Sequence, residues 1–131
     1  MRIVETVADR FGVASDQRAI DLATGAPVVL KVGVGGGAAE QTRWSIRCDG
    51  LHKVRHPGLA ALMDYGALGE SQRFEAWQCG PFWRGAPEEA ARTLRATSQY
   101  LRACGLTDGG GTAADVHEFD GRAVIVPSEE A

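Results

Sequence analysis

Lysine is scarce in this chain: Lys31 and Lys53 stand alone among 14 basic residues, the rest being arginine. Lys31 lies inside the β-branched run PVVLKV (Pro27 to Val32), so it is a candidate for a charged role. Its ordinary alternative is a strand lysine facing solvent. Directly after it, Gly33-Val34-Gly35-Gly36-Gly37-Ala38 satisfies GxGxxA, the spacing with which a strand-to-helix turn cradles a dinucleotide pyrophosphate. The acidic residue that would hold the ribose belongs roughly twenty residues further on, whereas Asp64 lies about thirty on. The preceding strand also reads as half of a hairpin, and dinucleotide sheets need parallel crossovers. A glycine loop is the simpler reading. Cys48, Cys79 and Cys104, with His52, His56 and His117, show neither CxxC nor Cys/His ligand spacing. No metal and no catalytic histidine are assigned: His56 beside Pro57 reads as a turn-packing residue, and Cys79 and Cys104 as small buried hydrophobes. Trp44 and Trp77 read as core anchors. Trp83, in the GPFWRG loop, is a candidate protein-contact residue, because interfaces favour Trp and Arg.

These residues need elements to position them. Arg2 to Val7 is a weak strand candidate, and Gln17 to Leu22 (QRAIDL) and Pro27 to Val32 flank ATGA as an antiparallel hairpin. A helix is predicted from Ala38 to Arg55, since Trp44, Cys48, Leu51 and Val54 recur at helical spacing. Asp49 and Lys53 are four apart in the favourable order, while Gly50 costs that helix about 1 kcal/mol relative to alanine. His56-Pro57-Gly58 ends it. Leu59 to Tyr65 and Arg73 to Gln78 read as strands joined by the polar loop GALGES. After the Gly80-Pro81 hinge, Pro87 suits a first helical position, Glu88 and Glu89 suit the dipole, and Gly105 closes the helix. Ala90, Leu94, Thr97, Leu101 and Cys104 mark its core face. DGGGT (Asp108 to Thr112) is a loop, and VHEF-DG-RAVIV carries the strongest hairpin signal in the chain. The architecture expected is α+β, with about five strands in a mainly antiparallel sheet.

Composition narrows the function classes. At 131 residues, 24% charged and 44% hydrophobic, the chain is long enough for one modest core. No apolar run approaches the ~20 residues of a membrane helix. MRIVETVADR lacks the parts of a secretion signal, so a cytoplasmic location is expected, and the arginine-rich usage suits a GC-rich bacterial genome. A net charge of −3 argues against a nucleic-acid surface.

The colinear series of hairpin, glycine break, helix, HP turn, two strands, hinge and helix resembles the N-terminal lobe of the eukaryotic-type protein kinases and the start of their C-terminal lobe. ATGAPVVLKV looks like the strand with the family's nucleotide lysine, at Lys31. LHKVRHPGLAALMDYG is similar to the end of the regulatory helix, its HP turn and the next strand. RFEAWQCGPF looks like the strand entering the hinge, with Trp77 near the gatekeeper position and Gln78, Cys79 and Gly80 on the hinge. ADRFGVASDQ stands where the glycine-rich loop belongs and keeps only Gly12. The resemblance divides the chain into an N-lobe-like region, residues 1–79, and a hinge, helix and hairpin, residues 80–131, within one compact domain.

Phosphoryl transfer depends on positioning and charge neutralisation, and here the resemblance implies losses. Arg47, ten residues before Pro57, replaces the glutamate that would hold Lys31, so repulsion is expected there unless Asp49 or Glu40 substitutes. Gly110 stands where the proton-accepting aspartate belongs, and Asp108 fits only after a two-residue slip. Asp115 aligns with the metal-binding asparagine, a tolerable exchange. Pro127-Ser128-Glu129 replaces the second metal aspartate. A general base contributes roughly 10²- to 10⁴-fold and a metal several kcal/mol, so the expectation is a pseudokinase: a non-catalytic regulatory or scaffolding module working through protein contacts. Lys31, Gly12, Gln78, Cys79 and Asp115 would line any nucleotide site. No resident cofactor is expected unless that pocket is open to ATP and magnesium, and Trp77 would crowd the adenine. The enzyme alternative is a divergent ATP-dependent kinase or phosphotransferase using Lys31, Asp108 and Asp115; the third reading is a small dinucleotide-binding domain. The partner expected is a protein, or other domains of a longer chain, with neither nucleic acid nor membrane.

Overall fold

The computed structural model describes residues 2–106 and 114–128; Asp108, Gly110, the rest of the DGGGT loop and Glu129-Glu130 lie outside that range. The chain builds β1 (Ile3–Val7), β2 (Phe11–Ala14), β3 (Ala19–Asp21), β4 (Pro27–Val34), α1 (Ala38–Lys53), β5 (Ala61–Leu68), β6 (Gln72–Gln78), α2 (Pro87–Ala103), β7 (Ala114–Phe119) and β8 (Arg122–Pro127). The class is α+β as expected, but the main sheet has six strands, in the order β1-β2-β3-β4-β6-β5, with every pair antiparallel. β7 and β8 form a separate two-stranded sheet. No helix among the described residues is long and apolar enough to cross a membrane.

The extra strand is β2, inside the segment read as an eroded glycine-rich loop. Phe11 pairs with Val7 on one side and Asp21 on the other. Gly12 is buried in mid-strand, where an added Cβ would sit 2.9 Å from both Ile3 Cδ1 and Leu22 Cδ2. Its lack of a side chain therefore serves packing between neighbouring strands. The Asp21 carboxylate fastens this corner. It accepts from Arg10 Nη2 at 3.0 Å and from the Ala23 backbone N–H at 3.0 Å, closing an Asx turn before β4.

The Arg10 guanidinium, then the Ala23 N–H, hold the Asp21 carboxyl below its ordinary pKa of 3.8. The unfolded chain therefore takes up that proton first as pH falls, and the stabilisation present above the ordinary value is lost as pH drops through the folded one. Urea unfolding followed from neutral to acid pH should show the gap between wild type and Asp21→Asn closing below the ordinary carboxyl range. A constant gap across that range would refute the linkage.

The two faces of the sheet follow from strand alternation. On one face Val28, Phe74 and Ala76 gather with Val7, Phe11 and Ala19. On the other, Leu62 and Trp77 meet Trp44, Cys48 and Leu51 of α1, and the same cluster takes in Leu101 of α2 and Val124, Ile125 and Val126 of β8. The helical stripe read from sequence is thus the buried stripe, although α1 stops at Lys53, short of Arg55. The end of the Leu106 side chain packs over Gly50, where a Cβ would push it aside. Asp49 accepts from the Tyr65 hydroxyl. β5 runs three residues past Tyr65, through part of the segment read as loop, and turns at Gly69, whose φ is +67°.

The C-terminal layer is laced to the sheet through the HP turn and the hinge. Ile125 donates to Gly58 O at 2.7 Å and Ala60 to Ile125 O at 2.9 Å. Gly80 donates to Glu118 O, Glu118 to Pro81 O, and Trp83 to Val116 O, so the hinge runs beside β7 as a partial strand. The Asp120-Gly121 turn has φ of +55° and +78°, as a type I′ hairpin requires. α2 matches its expected span. Its Thr97 and Leu101 are buried, but Cys104 is exposed, because it is the cap residue just beyond the last turn rather than a member of the helix's packed face.

Candidate functional site

The sheet face under α1 carries the candidate site. Alternation puts Lys31 of β4, with its register partner Glu75 of β6, on the side facing the helix. About two and a half turns into α1, Arg47 comes down beside them. Lys31 Nζ donates to Pro127 O at 3.4 Å, and Arg47 Nη2 donates to the same carbonyl at 3.2 Å. The end of β8 therefore presents one backbone oxygen to two cations. Asp115 of β7 brings its Oδ2 to 4.0 Å from Lys31 Nζ.

Glu75 organises the inner half. It is 5% exposed and accepts from three donors: Trp44 Nε1 at 2.9 Å and Arg47 Nη1 at 3.2 Å on Oε2, and Trp77 Nε1 at 3.0 Å on Oε1. Burying a carboxylate is tolerated when it is paired and its lone pairs are filled. The repulsion expected between Arg47 and Lys31 is thus resolved, because Glu75, a strand residue sequence reasoning passed over, supplies the counter-charge. Two cations and two carboxylates balance across the site. With its oxygens occupied, Glu75 is a structural acceptor and is poorly placed to take a substrate proton.

The residues expected around a nucleotide are only partly brought together. Lys31 and Asp115 meet; Gly12 lies within β2. Gln78 ends β6 opposite Val28 and Ala61 and lines a surface groove with His56 and Arg122. Cys79 is buried in the core, and burial pushes its thiol up to about 12, with the Lys31 charge opposing. A protonated, enclosed thiol is inert as a nucleophile. Trp77 is fully buried, beneath α1 and against Glu75.

Each histidine spends a ring nitrogen on structure: His52 Nδ1 contacts Leu62 O, His56 Nδ1 accepts from the Gly58 N–H, and His117 Nδ1 contacts Gly80 O. His117 Nε2 is buried without a partner among the described residues, and its ring stacks on Phe82 at 4.5 Å between centroids. Among the described residues no group of three or more His, Cys, Asp or Glu side chains could hold a metal ion. Trp83 is half-buried, its ring N–H donating to Ala86 O at 3.1 Å. The exposed aromatic of that loop is its neighbour Phe82, 63% exposed.

The signal for Glu75 was present in RFEAWQ: a carboxylate two residues from a tryptophan in a strand shares its buried face. Its partners on α1 could not be read from that segment. No protein-family model matches the chain, and no curated protein matches it.

Proposed function

We propose that the chain is a non-catalytic, kinase-like regulatory or scaffolding module that acts on other proteins, or on other domains of a longer chain, by contact. The observation that carries this reading is the state of Lys31. The ammonium that would meet phosphates in a kinase is turned instead toward Pro127 O and Asp115, beside an arginine on that same carbonyl. The hinge supports it too, since the N–H and carbonyl of Gly80 are bonded to Glu118 and His117 and so are not free for a purine. The ordered elements, a lysine strand, helix, HP turn, hinge and hairpin, occur in the sequence that the resemblance implies.

A second reading, nucleotide binding with or without transfer, draws on the approach of Asp115 to Lys31. The dinucleotide reading loses its ground, because β4 pairs antiparallel on both sides and offers no parallel crossover to a GxGxxA turn.

Calorimetric titration of the chain with ATP, with and without magnesium, separates these readings when run beside a transfer assay on a generic protein substrate. The scaffolding module gives neither magnesium-dependent heat nor transfer. Transfer abolished by Lys31→Ala would overturn it. Magnesium-dependent heat lost in that variant, without transfer, would make the module a nucleotide-gated one.

A further inference from the structure

Two surface grooves, of about 440 and 290 Å³, share His56, Pro57 and Arg122 in their walls and so form one elongated channel beside the HP turn. The larger has an apolar lining that includes Val54, Leu59 and Phe119. Around the channel stand three guanidinium groups, of Arg55, Arg92 and Arg122, against one carboxylate, of Glu89. The Arg55 guanidinium donates to the backbone carbonyls of His52 and Val54. The side chains of Arg92 and Arg122 have no hydrogen bond or ion pair among the described residues, and both residues are exposed. His56 Nδ1 accepts the Gly58 N–H. The chain as a whole carries −3, yet this channel is locally cationic, and within a Debye length of about 8 Å the local charges decide what approaches.

We propose that this channel docks an extended acidic peptide segment of a partner protein, its carboxylates on Arg92 and Arg122 and an apolar side chain on the Val54–Phe119 floor. Planar guanidinium forks suit carboxylates, and unpaired arginines beside an apolar floor are the usual anchors of a peptide interface. A nucleic-acid strand gains less here: the channel has only three guanidinium groups, one of them turned to backbone carbonyls, and so could neutralise few phosphates. This inference rests on the contact-module reading and names its partner class. Its test contains no nucleotide, so its failure leaves the ATP experiment to judge that reading separately.

The probe is a fluorescein-labelled peptide of glutamate, leucine and phenylalanine, followed by anisotropy on the full chain. Its control carries lysine for every glutamate. The acidic peptide should bind saturably, weaken as salt is raised, and lose affinity about tenfold or more in the double variant Arg92→Glu with Arg122→Glu. Arg43→Glu with Arg84→Glu, an equal charge change away from the channel, should leave affinity within about twofold. The proposal is overturned by absent saturable binding, by equal losses in both double variants, or by tighter binding of oligo-dT than of the acidic peptide.

Discussion

Glu75→Gln should lower the free energy of unfolding by about 3 kcal/mol, because it leaves a largely buried guanidinium without its counter-charge. An amide has one acceptor and one donor end. If its NH₂ takes the place of Oε2, it meets the N–H groups of Trp44 and Arg47; in the place of Oε1, it meets that of Trp77. Either orientation sets donor against donor. Urea unfolding followed by circular dichroism reads the loss directly. Replacing Glu75 and Arg47 together by leucine should recover only the part due to the stranded charge, since Trp44 and Trp77 still lose their common acceptor. A Gln variant as stable as wild type would show that the carboxylate carries no net weight in the fold.

Trp77→Ala should cost about 3–5 kcal/mol, the range for emptying a large aromatic site in a packed core. The residue is fully buried, wedged between register partners Val29 and Leu62 with α1 above it. Domains of ordinary stability, about 5–15 kcal/mol, would be left near their threshold by that loss. Trp77→Phe separates the two contributions, since it keeps most of the volume and drops the indole N–H. Its milder loss should be non-additive with Glu75→Gln, because both changes touch one hydrogen bond. If Trp77→Ala melts within a degree or two of wild type, the packing account fails.

Local signals carried most of the fold. The Asp-Gly hairpin, the Trp44-Cys48-Leu51 stripe, the proline start of α2 and the PVVLKV strand each state their structure within a few residues, and each stands where the sequence puts it. What escaped depends on distant partners. β2 has four residues, one of them glycine, and it is a strand because Val7 and Asp21 lie on either side of it. Glu75 is buried because Trp44 and Arg47 reach it from 31 and 28 residues away. The exposure of Cys104 likewise depends on where α2 ends, since the residue falls at the cap and not on the packed face. In the site, the meeting of Lys31 with Asp115 follows from the order of elements, whereas the occupation of Lys31 by Pro127 is a tertiary fact that no local pattern encodes.

The placement of β8 governs how the molecule is made. Its Val124, Ile125 and Val126 complete the core between sheet and helices, and its last carbonyl closes on Lys31 and Arg47 across 96 and 80 residues of chain. Contacts of such sequence separation come late and slowly, because loop closure must precede their reward. During synthesis the core that β8 shares with α2 and the HP turn would stay incomplete, leaving Leu59 and Leu101 partly uncovered until residue 127 clears the ribosome exit. Nascent chains halted before β8 should therefore be protease-sensitive and aggregation-prone, making the hairpin a checkpoint on the chain's own production.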